Sequence, residues 1–163
     1  MYDMGFRMIR TRRAVVKDLD VINELTFEMH VFLGSLVGIR FNARELEDEM
    51  YENEEDLKNV YVGEFDGNVV GYLAFSQELL ESEFFGKYYQ LYHIAVKQEF
   101  RRRGVASELF NVLLRKARRE RVNVVTGTLC LNKAGLKFYR KNGFKPIETV
   151  LLLDNMRKLK LPG

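Results

Sequence analysis

Along the chain, apolar residues change period several times, and each change marks an expected element. Met8 to Ala14 carries β-compatible residues and predicts a first strand. Leu19, Ile22, Leu25, Phe27, Met29 and Phe32 follow at helical spacing behind Asp18, which reads as an N-cap; that helix is expected to end near Gly34 or Gly38. Asn42 heads a second expected helix through an acidic stretch, with Leu46, Met50 and Leu57 as a thin apolar stripe. Val60 to Phe65 and Val69 to Phe75, around Asp66-Gly67-Asn68, predict a hairpin. Glu78 to Tyr89 mixes Glu with aromatic residues and fits a loop or an irregular helix, and Leu91 to Val96 is a short strand.

The strongest periodicity starts at Val105. Ala106, Leu109, Phe110, Leu113, Leu114 and Ala117 recur at helical spacing, opposite Glu108, Arg115, Arg118 and Arg119. Val122 to Leu129 is another strand, and Asn132 opens a short helix running to about Asn142, stopped by Gly143. Phe144 to Leu159 is expected to supply one or two closing strands, with Pro146 near the start. The order β, α, α, β, β, β, α, β, α, β describes one mixed α/β domain over residues 1–163, with residues 1–6 as a disordered extension.

Composition narrows the classes. Twelve Phe and eight Tyr in 163 residues exclude a disordered chain. No stretch approaches the ~18 apolar residues of a membrane span, and Asp3, Arg7, Arg10, Arg12 and Arg13 break any signal-peptide core. A single cysteine, Cys130, excludes an internal disulfide framework and fits a reducing cytoplasm; with only His30 and His93 beside it, no metal site is expected. Cys130 itself reads as a small buried apolar residue. Net charge is only +3, but it is unevenly spread. Acid is concentrated from Glu45 to Asp56, base at Arg101-Arg102-Arg103 and again from Arg115 to Arg121. The acidic stretch either attracts a cationic acceptor or is a solvated face. The basic helix could contact nucleic acid, but interleaved Glu108 and Glu120 favour a solvated face.

The segment from Val96 to Ala106 lies between a strand and the long helix. The first amides of a helix have no intrahelical acceptor, and the helix dipole adds positive character there. Gly104 removes a side chain where a ligand would approach the backbone, Ala106 keeps the approach open, and Arg101, Arg102 and Arg103 add charge at the rim. A phosphate or pyrophosphate fits this place. A helix-entry glycine flanked by basic residues is the plainer alternative. The stretch is neither a P-loop nor a three-glycine dinucleotide fingerprint.

The run Tyr92 to Phe110 resembles the acetyl-CoA signature of the GNAT superfamily of N-acetyltransferases, whose Arg/Gln-x-x-Gly-x-Gly/Ala pattern is filled by Arg101, Gly104 and Ala106, with Ile94 and Val96 at its strand positions. A second family pattern, Asn-x-x-Ala-x-x-x-Tyr-x-x-x-Gly-Phe, resembles Asn132 to Phe144 and puts Tyr139 at its tyrosine. Weaker matches include Ile9-Arg10, Asp18-Leu19 and Gly71. The resemblance implies a central twisted mixed sheet of six or seven strands with helices on both faces, two of the strands splaying apart to admit the cofactor. By the same resemblance, amides from Arg101 through Arg102, Arg103, Gly104 and Val105 to Ala106 hold the CoA pyrophosphate. Backbone groups of Ile94, Ala95 and Val96 hold the pantetheine and acetyl carbonyl, Asn132 bonds the pantetheine, and the Tyr139 hydroxyl lies near the thioester sulfur.

Two positions depart from the pattern. Gly135 stands where the family has alanine, and the resemblance puts Gly127 where several relatives carry the carboxylate that handles the amine proton. His93 has a suitable intrinsic pKa for that task, with Tyr92 acting through water as an alternative and His30 as a surface or packing residue. Phe84, Phe85, Tyr88 and Tyr89 either line the acceptor side or belong to the core. The expected activity is acetyl transfer from acetyl-CoA to a primary amine, a small amine, polyamine or protein N-terminus or lysine, by a cytoplasmic enzyme that forms no covalent intermediate; a homodimer is compatible with the family. A catalytically silent acyl-CoA-binding sensor or scaffold is the alternative.

Overall fold

The computed structural model describes residues 9–152 and 159–160. The extension expected over residues 1–6 lies outside them. Two compact units divide the chain: Met1–Thr26 with Glu49–Gly127, and Phe27–Asp48 with Thr128–Gly163. The first helix, α1 (Leu19–Leu36), contributes its opening turns to the first unit and its remainder to the second.

The first unit is built on a six-stranded mixed sheet. Its strands are β1 (Ile9–Arg13), β2 (Val60–Phe65), β3 (Asn68–Phe75), β4 (Leu80–Ser82), β5 (Gly86–Val96) and β6 (Asn123–Thr126). They run in the order β1-β2-β3-β5-β4, and β6 joins β5 in parallel while every other pairing is antiparallel. Asp66 and Gly67 both take positive φ (50° and 82°), the two-residue turn whose twist matches a hairpin, so β2 and β3 meet as the sequence predicts.

Opposite faces of the central strands hold different helices. Ile22 and Leu25 of α1 join Ala14, Leu57, Val60, Val62, Tyr72 and Ala74 in one buried cluster. Each fully buried aliphatic side chain there contributes roughly 1.5–3 kcal/mol. The alternate positions face α2 (Val105–Glu120), which buries Val105, Leu109, Phe110, Leu113 and Ala117. Gly63 and Gly71 are paired across β2 and β3 beneath this helix. A Cβ on Gly63 would lie 2.9 Å from Val105 Cγ1, and one on Gly71 would lie 2.8 Å from the Ala95 carbonyl oxygen. The glycine pair therefore lets the first turn of α2 settle directly on the sheet.

Three segments depart from the expected elements. The acidic stretch forms only a short 3-10 helix (Ala43–Glu49) followed by turns. Asn42 does cap it, accepting from the Glu45 amide while the Glu45 carboxylate accepts from the Asn42 amide. Beyond it, Asn53 and Asp56 side chains bond nearby amides, an alternative to the helical ladder, and crowded carboxylates oppose a longer helix. Glu78 to Tyr89 is not a loop or irregular helix but the β4–β5 hairpin with its approach. Residues 144–152 form no strand, and Ile147, Val150, Leu151 and Leu152 are exposed there; Pro146 removes an amide such a strand would need. The rest of the expected closing segment, 153–158, lies outside the described residues.

Asp18 does not cap α1 in the expected way. Its carboxylate turns back to accept from the Val15 amide (2.9 Å) and from both terminal nitrogens of Arg12 (2.6 and 3.0 Å), while Arg12 Nε reaches Glu64 (2.7 Å). Burial pushes the Asp18 pKa up, but the Arg12 and Val15 hydrogen bonds outweigh it and the net shift is downward. A lowered folded pKa adds stability above the unfolded value of ~3.9 that is lost as pH falls through the folded one. Asp18→Asn is thus expected to lose about 2–3 kcal/mol at pH 7, the range for hydrogen bonds to a charged group, since it leaves Arg12 with Glu64 as its one charged partner. Urea unfolding at pH 7 and again in acid checks this. The gap between variant and parent should narrow in acid; an equal gap at both pH values would remove the charge from the explanation.

Candidate active site

Between β5 and α2 the chain makes one 3-10 turn (Gln98–Phe100) and then twists twice through left-handed backbone. Arg102 has φ 61° and Gly104 has φ 91°. The second of these turns the chain into the helix, where the Glu108 amide makes the first helical bond, to the Gly104 carbonyl (3.0 Å). Among the described residues no acceptor meets the amides of Gly104, Val105 and Ala106, and Gly104 offers no side-chain cap. These amides sum with the dipole of a sixteen-residue helix into a point of positive potential, which is chemically suited to an anion.

The three arginines have separate tasks. Arg101 Nε donates to the Val96 carbonyl (3.0 Å), tying the turn to the strand it leaves. The Arg103 guanidinium lies over the rings of Phe65 and Phe100, 5.5 Å from each centroid. Arg102 is exposed.

Among the described residues no strand pairs with the β6-side edge of β5 beyond Leu91, which leaves a seam running into this turn. β6 pairs with β5 only from Tyr88 to Leu91, its last residue Thr126 standing opposite Leu91. On its other edge β5 continues alongside β3 to Val96. The Lys97 amide donates to the Val70 carbonyl (2.8 Å), so that pair is a hydrogen-bonded one. Alternation then turns the main-chain groups of Ala95 and His93 toward β3, and those of Ile94 and Val96 toward the edge that β6 has left. Of the segment expected to hold the acyl arm, Ile94 and Val96 thus present backbone to the seam and Ala95 does not.

His93 lies on the α1 face of the sheet, opposite Ala74. Its Nδ1 is 3.0 Å from the Tyr72 hydroxyl and 3.2 Å from that of Tyr51. Tyr72 in turn lies 2.6 Å from the Thr26 hydroxyl, which donates to the Ile22 carbonyl (2.8 Å). Asn23 brackets Tyr51, bonding its amide and its carbonyl at 2.9 Å each. Burial pushes both tyrosine pKa values up, so both stay protonated hydroxyls. A Glu49 carboxylate oxygen lies within 4.8 Å of a His93 ring nitrogen. Sequence reasoning found His93 but not Thr26, Tyr51 or Tyr72 behind it; the only available signal was the alternation that puts Tyr72 on the face of the α1 core. Tyr92, the alternative to His93 for the proton, is exposed.

The second unit holds the other family-pattern residues. Asn132 caps α3 (Lys133–Lys141): its Oδ1 accepts from the Gly135 amide (3.0 Å) and its Nδ2 donates to Thr128 (3.1 Å). A Cβ on residue 135 would lie 2.4 Å from Asn132 Nδ2, so glycine there leaves the cap in place. Tyr139 is half-buried, with Phe144 and Phe138 ring centroids 5.4 and 5.6 Å from its own. α3 contains no fully buried residue, and Tyr139 keeps part of its surface exposed. Cys130 is exposed, not buried as its residue type suggests, because it sits in the turn before α3. His30 packs edge-on to Phe41. Of the four aromatics from Phe84 to Tyr89, Tyr89 belongs to the core: its hydroxyl donates to Glu120 of α2 (2.6 Å), and Lys116 lies over its ring. Phe84 is 90% exposed.

A family model described as the acetyltransferase (GNAT) family matches residues 26–144. No curated protein sequence matches the chain. Among solved structures, a possible acetyltransferase from Clostridium difficile 630 superposes with a TM-score of 0.70 at 17% identity, over 90% of this chain and 96% of that one. The PaiA N-acetyltransferase from Thermoplasma acidophilum, in complex with coenzyme A, gives 0.69 at 17% identity, over 88% and 93%. The aminoglycoside N-acetyltransferase AAC(6')-Iy, in complex with CoA, gives 0.64 at 19% identity, over 95% and 99%. Among the described residues no helix is long and apolar enough to cross a membrane.

Proposed function

The chain belongs to the GNAT acetyltransferase family, and from that premise we propose that it transfers the acetyl group of acetyl-CoA directly to a primary amine within a ternary complex. One observation carries the reading: unaccepted amides at Gly104, Val105 and Ala106 adjoin a strand edge where Ile94 and Val96 turn their backbone outward. In this proposal the helix start holds the pyrophosphate. The seam holds the pantetheine by main-chain hydrogen bonds, as a neighbouring strand would. Arg101 keeps the Val96 end of that edge in place, and Arg102 supplies charge at the rim.

An amine with a lysine-like pKa near ~10.4 must lose a proton before it attacks. His93 is assigned that proton, since Tyr51 and Tyr72 hold theirs too tightly. A backbone N–H of the outward-facing strand edge stabilises the oxyanion without having to reorganise. Tyr139, carried over from the family pattern, donates a proton to the departing CoA sulfur, and Asn132 bonds the pantetheine while capping α3. Acceptor class belongs to the same proposal: the carboxylates between Glu45 and Asp56 favour a cationic amine such as a polyamine or a lysine-rich peptide. So does a cytoplasmic location, supported by the single cysteine.

The test has two stages. Titration with CoA is expected to release heat and raise the melting temperature. Thiol release from acetyl-CoA is then followed with spermidine, a lysine-rich peptide, a peptide with a free N-terminus and an aminoglycoside. Release with a cationic amine supports the proposal. CoA binding with no release from any amine would favour the silent sensor, whose one specific support is the absence of a side chain at Gly127. No response to CoA would overturn both.

A further inference from the structure

The backbone that leads into α2 needs support from outside itself. Arg102, at φ 61°, carries a Cβ in left-handed backbone, a costly placement, and Gly104 follows at φ 91°. Such backbone persists only where its surroundings over-determine it. Both neighbours of Arg102 are anchored. On one side Arg101 Nε donates to the Val96 carbonyl (3.0 Å). On the other, the Arg103 guanidinium lies 5.5 Å from the ring centroids of Phe65 and of Phe100, which are themselves 5.3 Å apart. These rings belong to separate parts of the sheet. Phe100 ends the 3-10 turn after β5, whereas Phe65 ends β2, opposite Ile9 of β1 and Asn68 of β3. Among the described residues Arg103 makes no ion pair or hydrogen bond, and the two rings hold it. Arg102 is exposed and has neither kind of anchor.

We infer that Arg103 is a positioning residue: lodged on Phe65 and Phe100, it locks the backbone from Arg102 to Gly104 so that the amides of Gly104, Val105 and Ala106 keep one direction. It raises CoA affinity without binding a phosphate itself. That the ligand is CoA rests on the acetyltransferase reading; the lock rests only on the two rings. A guanidinium suits the task, being planar, weakly hydrated and able to lie against aromatic faces while still exposed. Holding the amides in their bound arrangement spares the cost of ordering them when a ligand arrives. A guanidinium that left the rings for a phosphate would release the very turn that presents those amides. Of the three consecutive arginines, the outer two thus shape the turn and the middle one faces solvent.

Two variants that leave net charge unaltered test the lock. Arg103→Lys keeps the cation but loses the planar face, and Phe100→Leu keeps apolar bulk but loses the ring. Calorimetric titration of the full chain with CoA should show each weakening affinity about two- to fivefold, the worth of an exposed cation–π contact. The pair should lose little more than the worse single variant, because both remove one interaction. Phe100→Tyr, which keeps the ring, should bind as the parent does. Without CoA, ¹⁵N relaxation should show the amide order parameters of Gly104, Val105 and Ala106 falling from near ~0.85 towards ~0.6 in both single variants. Parental CoA affinity in either single variant would overturn the inference. So would losses that multiply in the pair, the mark of a phosphate contact made independently of the ring, or amides that stay as rigid as in the parent. A parent chain that binds no CoA would count against the acetyltransferase reading, while the lock is still decided by the amides alone.

Discussion

Tyr139→Phe is expected to lower kcat by about 10²-fold with the CoA dissociation constant unchanged, a rise in the barrier of ~2.7 kcal/mol. The magnitude follows from the leaving group. A thiol of ordinary pKa near ~8.5 departs tolerably as the anion, so losing a proton donor costs toward the lower end of the usual range for acid catalysis. The structural cost should be small. Tyr139 is half-buried on a helix with no fully buried residue, and the variant keeps the ring between Phe138 and Phe144. Steady-state thiol release together with calorimetric CoA titration separates the two quantities. Equal kcat in the variant would remove Tyr139 from the chemistry, and a matching loss of CoA affinity would make it a binding residue.

Gly104→Val should produce the opposite signature. At φ 91° a β-branched residue is strained by roughly 1–3 kcal/mol, and relief of that strain rotates the amides at the helix start. Space within the fold is not the obstacle, because the nearest atom to a Cβ there is Ile9 Cδ1 at 3.6 Å. The valine side chain also stands where an anion would approach. CoA affinity is expected to fall about 10²-fold, with strain and lost amide contacts contributing together. At saturating acetyl-CoA, kcat should stay within a few-fold. Undiminished CoA affinity in a folded variant would count against the helix start as the pyrophosphate site.

The parts of the molecule that the sequence made legible are those whose cause is local. The Asp66-Gly67 turn is visible because both residues must accept positive φ, and α2 because its buried face repeats every three to four residues. Gly104 stood out for the same reason, as a glycine in an arginine run between a strand and a helix. What was missed depends on distant partners. β5 extends to Gly86 because β4 and β6 pair with its first half, and nothing in Gly86 to Gln90 announces those partners. Gly63 looks like a weak strand residue until Gly71 lies opposite it and Val105 above it. The groups around His93 come from α1, β3, β5 and the turn at Tyr51, and only folding brings them together. In the acidic stretch, helical spacing of Leu46, Met50 and Leu57 was a true pattern overruled by side chains that bond the backbone instead.

The main-chain grip proposed for the cofactor has a consequence for descent. Every amino acid except proline brings the same N–H, so substitutions can accumulate along the turn and the strand edge without altering what they offer, provided the glycine and the small residues persist. Selection on the cofactor then constrains backbone shape more than residue identity, leaving the acceptor side to diversify. A lineage built this way can change its amine clientele while inheriting an unaltered grasp of the acyl carrier.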